Sequence, residues 1–151
     1  MSSQMLLMTL FIVKHLIFDF LLQTPFQYLN KGKYGHPGGL LHTGLAVAGS
    51  FLALFIFNLW QQEVSSGTLG TSLGKQSPWD LYVINFPWAF FSVVLSAEAL
   101  IHYHMDWLKV QICRKMHWTA ANSNWYFHLL GFDQTVHYLT YVGMITWIFM
   151  K

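Results

Sequence analysis

The chain has 151 residues, of which 54% are hydrophobic, 18% aromatic and only 9% charged, with a net charge of +2. A soluble domain carries about 25% charged residues, so this composition excludes a soluble enzyme, a disordered regulator and a nucleic-acid binder with a basic stripe. It divides instead into membrane spans of ~20 residues, and the single Cys113 permits neither an intramolecular disulfide nor a cysteine-rich metal site.

Four apolar stretches follow along the chain. The first covers residues 5–22. It has no basic segment before it and no small-residue cleavage site after Leu22, so it reads as a retained span rather than a signal peptide. Residues 24–39, with Pro25, Pro37 and four glycines, read as an ordered, turn-rich connector. The second stretch is 40–60. Residues 63–78 are rich in Gly, Ser and Thr and predict a flexible loop over about 61–80. The third stretch, 83–108, has Pro87 near its start, where a missing N–H costs least. Residues 110–131 are basic at first and aromatic later, with Trp118, Trp125 and Tyr126 suited to the headgroup region. The fourth stretch is 133–150. The expectation is an all-α membrane protein: one domain, 1–151, of four transmembrane helices in an antiparallel bundle.

Lys31, Lys33, Lys109, Arg114 and Lys115 lie with the first and third connectors, against Lys75 and Lys151 on the other side. That asymmetry predicts cytoplasmic first and third connectors and extracytoplasmic termini in a multi-pass inner-membrane protein.

The ionisable residues within the spans share one depth. His15 and Asp19 are in the second half of the first span, His42 in the first turn of the second, Glu98, His102 and Asp106 at the end of the third, and Asp133 and His137 in the opening turns of the fourth. All fall in the cytoplasmic half. His15/Asp19, Glu98/His102, His102/Asp106 and Asp133/His137 are each four residues apart, so each pair stacks on one helix face. Facing inward, these ridges would converge as in carboxylate–histidine metal proteins. Their N and O donors suit zinc, manganese or iron. The plainer reading is a hydrogen-bonded network that fixes helix packing, with typical pairs worth ~0.6 kcal/mol. Unpaired carboxylates in a span cost ~2.5 kcal/mol or more each, which a divalent cation or a water-filled cleft would relieve. His104 faces away from His102; His36 and His117 sit in connectors, and His128 stands just before the fourth span. Gln23 and Gln134 are candidate supports for ligands.

The ordered motifs Lys14-His15-x-x-x-Asp19-Phe20-Leu21-Leu22-Gln23, Lys31 or Lys33, Leu41-His42, His102-x-x-x-Asp106-x-x-Lys109 and Asp133-Gln134-x-x-His137 resemble a family of small bacterial membrane proteins, a domain of unknown function. The resemblance covers nearly the whole chain apart from residues 63–78 and implies a bacterial or phage origin and a four-span fold. The H-x-x-x-D pairs are more loosely similar to inner-membrane metal-dependent hydrolases.

Two functional expectations follow. In the first, the protein is an intramembrane metal-dependent hydrolase acting near the cytoplasmic leaflet on a lipid-like or phosphoester substrate. His15, Asp19, His42, His102, Asp106 and His137 would hold one or two cations. Asp133 would be a further ligand or base, Glu98 a general base or extra ligand, and Lys14 or Lys109 would bind an anionic headgroup. In the second, the protein is a non-enzymatic accessory subunit of a larger membrane complex, its cluster structural, proton-handling or cofactor-ligating. Carboxylates one turn from the histidines argue against haem. The expected partners are the lipid bilayer and other membrane subunits, not nucleic acid.

Overall fold

A computed structural model of the protein describes residues 2–65 and 88–150. These residues are helical, with no strand among them: α1 (Ser3–His15) runs directly into a π-helical segment (Leu16–Leu21), followed by a short α2 (Pro25–Tyr28), then α3 (Pro37–Ser65), α4 (Trp88–Met116) and α5 (Asn124–Phe149). Local chemistry sets the helix starts. The Ser2 hydroxyl accepts the Met5 N–H, Thr24 and Gln27 form a capping box, α3 opens on Pro37, and the Ser123 hydroxyl accepts the Trp125 N–H, each supplying or removing an orphan donor of the first turn. α4 stops in a Schellman turn: the His117 and Trp118 N–H groups donate to the carbonyls of Arg114 and Cys113, and His117 takes φ 55°, a left-handed conformation that favours glycine.

The helices overrun the apolar stretches. α4 continues to Met116 and α5 begins at Asn124, so the expected connector 110–131 shrinks to 117–123. His42 therefore sits in the second turn of α3, and Asp133 and His137 lie well inside α5 rather than in its opening turns. Hydropathy marks where side chains turn apolar, whereas a helix ends only where its caps end it. Residues 61–65 of the expected flexible loop form the last turn of α3. The rest of that loop, Pro87 and the expected start of the third span lie outside the described residues. Two helices are long and apolar enough to cross a membrane by length and composition, Ser3–Leu21 with 19 residues and Pro37–Val64 with 28.

α1 packs on α3, α3 on α4, α4 on α5 and α5 back on α1, closing a ring. At Gly49 a Cβ would lie 2.6 Å from the Phe18 ring, so only glycine lets α3 approach the π segment. Each long helix buries one stripe at helical spacing. On α1 it reads Leu7, Phe11, Lys14, His15, continued by Asp19. On α3 it reads Phe57, Leu54, Ala53, Ser50, Ala46, His42. On α4 it reads Val94, Glu98, His102, Asp106, and on α5 Ile148, Ile145, Met144, Tyr141, His137, Asp133. Each stripe is apolar at one end and ionisable at the other, and the four are in register. One half of the interior is therefore a hydrophobic core and the other a polar cluster. Outward faces carry large apolar side chains along their length, such as Leu16, Phe55, Leu100, Leu139 and Trp147, each more than half exposed.

Candidate metal centre

The polar half is built in layers below the core. Nearest the core, Lys14 Nζ lies 2.6 Å from Glu98 Oε1 and donates to the Ala46 carbonyl, while the Ser50 hydroxyl donates to the same Glu98 oxygen at 2.7 Å. Lys14 also stands 4.6 Å from the centre of the Tyr141 ring. Glu98 and Lys14, expected as a base and a headgroup ligand, are thus spent on each other across α1 and α4.

The next layer is a chain of imidazoles. The ring centres of His15 and His137 are 5.5 Å apart, those of His137 and His102 4.3 Å, and those of His102 and His42 5.0 Å. The structure thus brings together the four buried histidines His15, His42, His102 and His137, one from each long helix. His15 holds a different place from the ligand position expected of it. Its Nδ1 contacts the Asp19 carboxylate and its Nε2–H donates to Gln134 Oε1 at 2.7 Å. Both ring nitrogens are engaged, and its role is to orient Asp19. The π segment carries Asp19 from that contact toward α4, placing Asp19 Oδ2 3.9 Å from His102 Nδ1.

The remaining groups form two candidate triads. Asp19, His42 and His102 make one, and Asp106, Asp133 and His137 the other; all six side chains are buried, and within each triad one ligand atom per residue lies within 4.8 Å of the others. The triads touch. His42 Nε2 is 2.8 Å from Asp106 Oδ2 and 3.1 Å from His102 Nε2, and His102 Nε2 is 3.6 Å from that same carboxylate oxygen. Gln23 fixes the His42 ring through its amide, 3.3 Å from Nδ1.

Lysines divide the carboxylates. Lys31 and Lys109 bind Asp106 Oδ1 at 3.0 and 3.2 Å, which leaves Oδ2 facing the histidines. Lys109 also binds Asp133 Oδ2 at 2.6 Å, and the Gln134 amide donates to it, which leaves Oδ1 3.4 Å from His137 Nε2. The oxygens left over are unsatisfied. Asp19 Oδ1 and Oδ2, Asp106 Oδ2, Asp133 Oδ1 and His102 Nδ1 are buried without a hydrogen bond of proper geometry, their ion-pair contacts apart. Buried carboxylate oxygens in that state are costly. Together with the imidazoles they are the donor set that zinc, manganese or iron takes, so the residues present fit a divalent cation.

The cluster forms the floor of a cavity of about 890 Å³. Asp19, His42, His102, Asp106, His137 and Lys109 line its depth, and Lys31, Arg114, His117, Trp118 and Tyr126 its walls and mouth. Lys14, Glu98 and Asp133 are not in that lining. Lys31 was visible in the sequence only as one of two motif lysines, and its placement depends on packing. A Cβ on the neighbouring Gly32 would come within 2.2 Å of the Val110 side chain, and the Gly32 carbonyl accepts from Gln111 and from Arg114. That clamp holds the connector against α4. Tyr141, four residues after His137 on the same stripe, contacts His15 Nδ1 with its hydroxyl at 3.1 Å; spacing alone was enough to find it. Away from the site, exposed His104 caps the Leu100 carbonyl and meets Tyr34, His128 packs on Trp125, and His36 Nδ1 accepts from the Gly38 N–H at the start of α3. No protein-family model matches the chain, and neither does any curated protein or solved structure.

Proposed function

We propose that the protein is a four-span, multi-pass membrane protein of the bacterial inner membrane and a metal-dependent hydrolase of lipid-like phosphoesters. The observation that carries the reading is a buried His/carboxylate cluster, short of hydrogen bonds, at the floor of a cavity with basic walls. Half of the interior is polar and ionisable while the outer faces carry large exposed apolar side chains, unlike the surface of a soluble protein, and this supports lipid as the solvent for all four long helices. A divalent cation supplies a water of lowered pKa and polarises a phosphoryl oxygen. The chain's own residues do the rest. Asp19, His42 and His102 would hold the ion, with Asp106 Oδ2 beside them, Lys109 faces the reacting group, and Arg114 binds anionic oxygens nearer the mouth. Arg114 has no carboxylate partner among the described residues; its Nη1 donates to the Gly32 carbonyl at 3.2 Å, and its other N–H groups serve a phosphate. Hydroxide adds to phosphorus, the ester P–O bond breaks, and the leaving oxygen is protonated by water in the cavity.

Metal analysis after purification in mild detergent tests this first. A bound transition metal in the wild type, lost in His102→Ala but kept in His104→Ala, supports the site. Release of phosphate from a lipid phosphomonoester by the metal-loaded protein, abolished by Asp19→Asn, supports the activity. The accessory-subunit reading is favoured by one observation, that Lys31 and Lys109 already neutralise two of the three cluster carboxylates. Metal-free wild-type protein, or a metal-loaded protein inert toward phosphoesters, selects that reading. A haem or pigment band in the visible spectrum would identify a carried cofactor. Orientation is checked by external labelling of Ser123→Cys on a Cys113→Ala background, which stays unlabelled in intact cells if that connector is cytoplasmic.

A further inference from the structure

Two adjacent triads of ligand residues invite a dinuclear site, but the charges around them are uneven. Among the described residues the ion-pair contacts of Asp19 are with the imidazoles of His15 and His102, and it belongs to the first triad. Asp106 and Asp133 belong to the second, and the Lys109 ammonium bridges them, 3.2 Å from Asp106 Oδ1 and 2.6 Å from Asp133 Oδ2, with Lys31 also on Asp106 at 3.0 Å. Lys109 is almost fully enclosed, its side chain 13% exposed. The Lys14–Glu98 pair cancels itself. In the cluster proper, Asp19, Asp106 and Asp133 set against Lys31 and Lys109 leave one net negative charge. One divalent cation turns this into one positive charge, and a second into three positive charges among largely buried side chains at the floor of the cavity. The two ions of a two-metal site stand ~3.5–4 Å apart, and like charges this close in a largely buried site repel strongly.

We propose that the cluster takes a single divalent cation, in the Asp19/His42/His102 triad, and that Lys109 is a built-in second cation standing where the other ion of a two-metal phosphoryl site would be. The inference rests on the metal reading above and sharpens it. Lys109, held on Asp106 and Asp133, lines the same cavity as Asp19, so an anionic group drawn to the ion also meets the ammonium. The net positive charge of the one-ion cluster then selects an anion, a phosphate rather than a neutral ester. His137 is left as a neighbour of Asp133, its Nε2 3.4 Å from Oδ1.

The experiment is metal stoichiometry with manganese as the probe, on the full chain in detergent, for wild type, Lys109→Met and Lys109→Gln. The expected result is one ion per chain in the wild type, with the electron paramagnetic resonance spectrum of an isolated ion. Removing the ammonium should raise the count to two and give the spectrum of a spin-coupled pair in at least one variant. A variant loaded with two manganese ions should bind inorganic phosphate at least as tightly as the one-ion wild type, because the second ion takes the place of the ammonium. Two ions in the wild type, or one in both folded variants, overturns the role of Lys109 while leaving a metal site in place. No bound ion in any of the three proteins overturns the metal reading and this inference together. Helical circular dichroism matching the wild type shows which variant is folded and therefore decides the count.

Discussion

The two halves of the interior are continuations of the same four stripes, yet they obey different rules. In the apolar half, Leu7, Phe11, Leu54, Phe57, Val94, Met144 and Ile148 interdigitate; each contact is small and replaceable, and the sum gives rigidity. In the polar half a comparable number of side chains is held by a few strong, directional contacts, most of them shared by three or more groups. There, losing one member strands several others. The boundary is the layer of Tyr141, stacked on Phe11 at 5.3 Å, and the buried Lys14–Glu98 pair. One half sets stability and the other sets what binds.

Five variants break or sharpen that division. The largest effect belongs to the boundary. Lys14→Met leaves Glu98 charged and unpaired at 1% exposure, which should destabilise by ~3–5 kcal/mol. The double variant Lys14→Met/Glu98→Gln should recover most of the loss, since it removes both charges. Unfolding in mixed detergent micelles with rising dodecyl sulfate measures both, and equal destabilisation of the single and double variants would show the pair to be incidental. In the apolar half, Phe57→Ala opens a cavity at a site 1% exposed. It should cost about 3 kcal/mol without altering metal content, and metal loss there would erase the distinction between the halves. In the polar half, Gln134→Ala removes the acceptor of His15 and a donor to Asp133. It should weaken metal affinity by ~10–100-fold with little change in unfolding, as read by chelator competition. The smallest effect is at the cavity mouth. His117→Gly relieves a left-handed residue at φ 55° and should stabilise by about 1 kcal/mol, leaving metal content as in the wild type.

The spacing of residues carried more of the site than of the fold's boundaries. Four-residue repeats located the buried stripes of α1, α4 and α5, and the turn away from His102 put exposed His104 on the outside. What spacing does not contain is the partner across the helix–helix contact. Glu98 lies on the right stripe, but whether it meets water or Lys14 depends on how α1 and α4 cross. His15 likewise had the right face and depth, yet Gln134 from α5 claims its second nitrogen. Lys31 lies in a connector with no period at all, and it reaches Asp106 only because Gly32 lets that connector lie flat on Val110. The end of α4 reads as connector because Arg114 and Lys115 are basic, though both are also good helix formers, and the start of α5 because Trp125 and Tyr126 suit the headgroup region.

The apolar half has a consequence for how the protein would sit in an energised membrane. A cavity filled with water and ions conducts, whereas packed Leu7, Phe11, Phe57 and Ile148 insulate, and a voltage applied across the two in series falls almost wholly on the insulator. If all four long helices span the membrane as proposed, a cation entering the cluster from the side on which the cavity opens would cross little of the potential, while one forced on past Tyr141 would meet about 2.3 kcal/mol per charge for every 100 mV. Occupancy of the cluster should therefore follow the metal concentration on the open side and be indifferent to respiration, and the same plug that stabilises the helices keeps the cavity from becoming a leak.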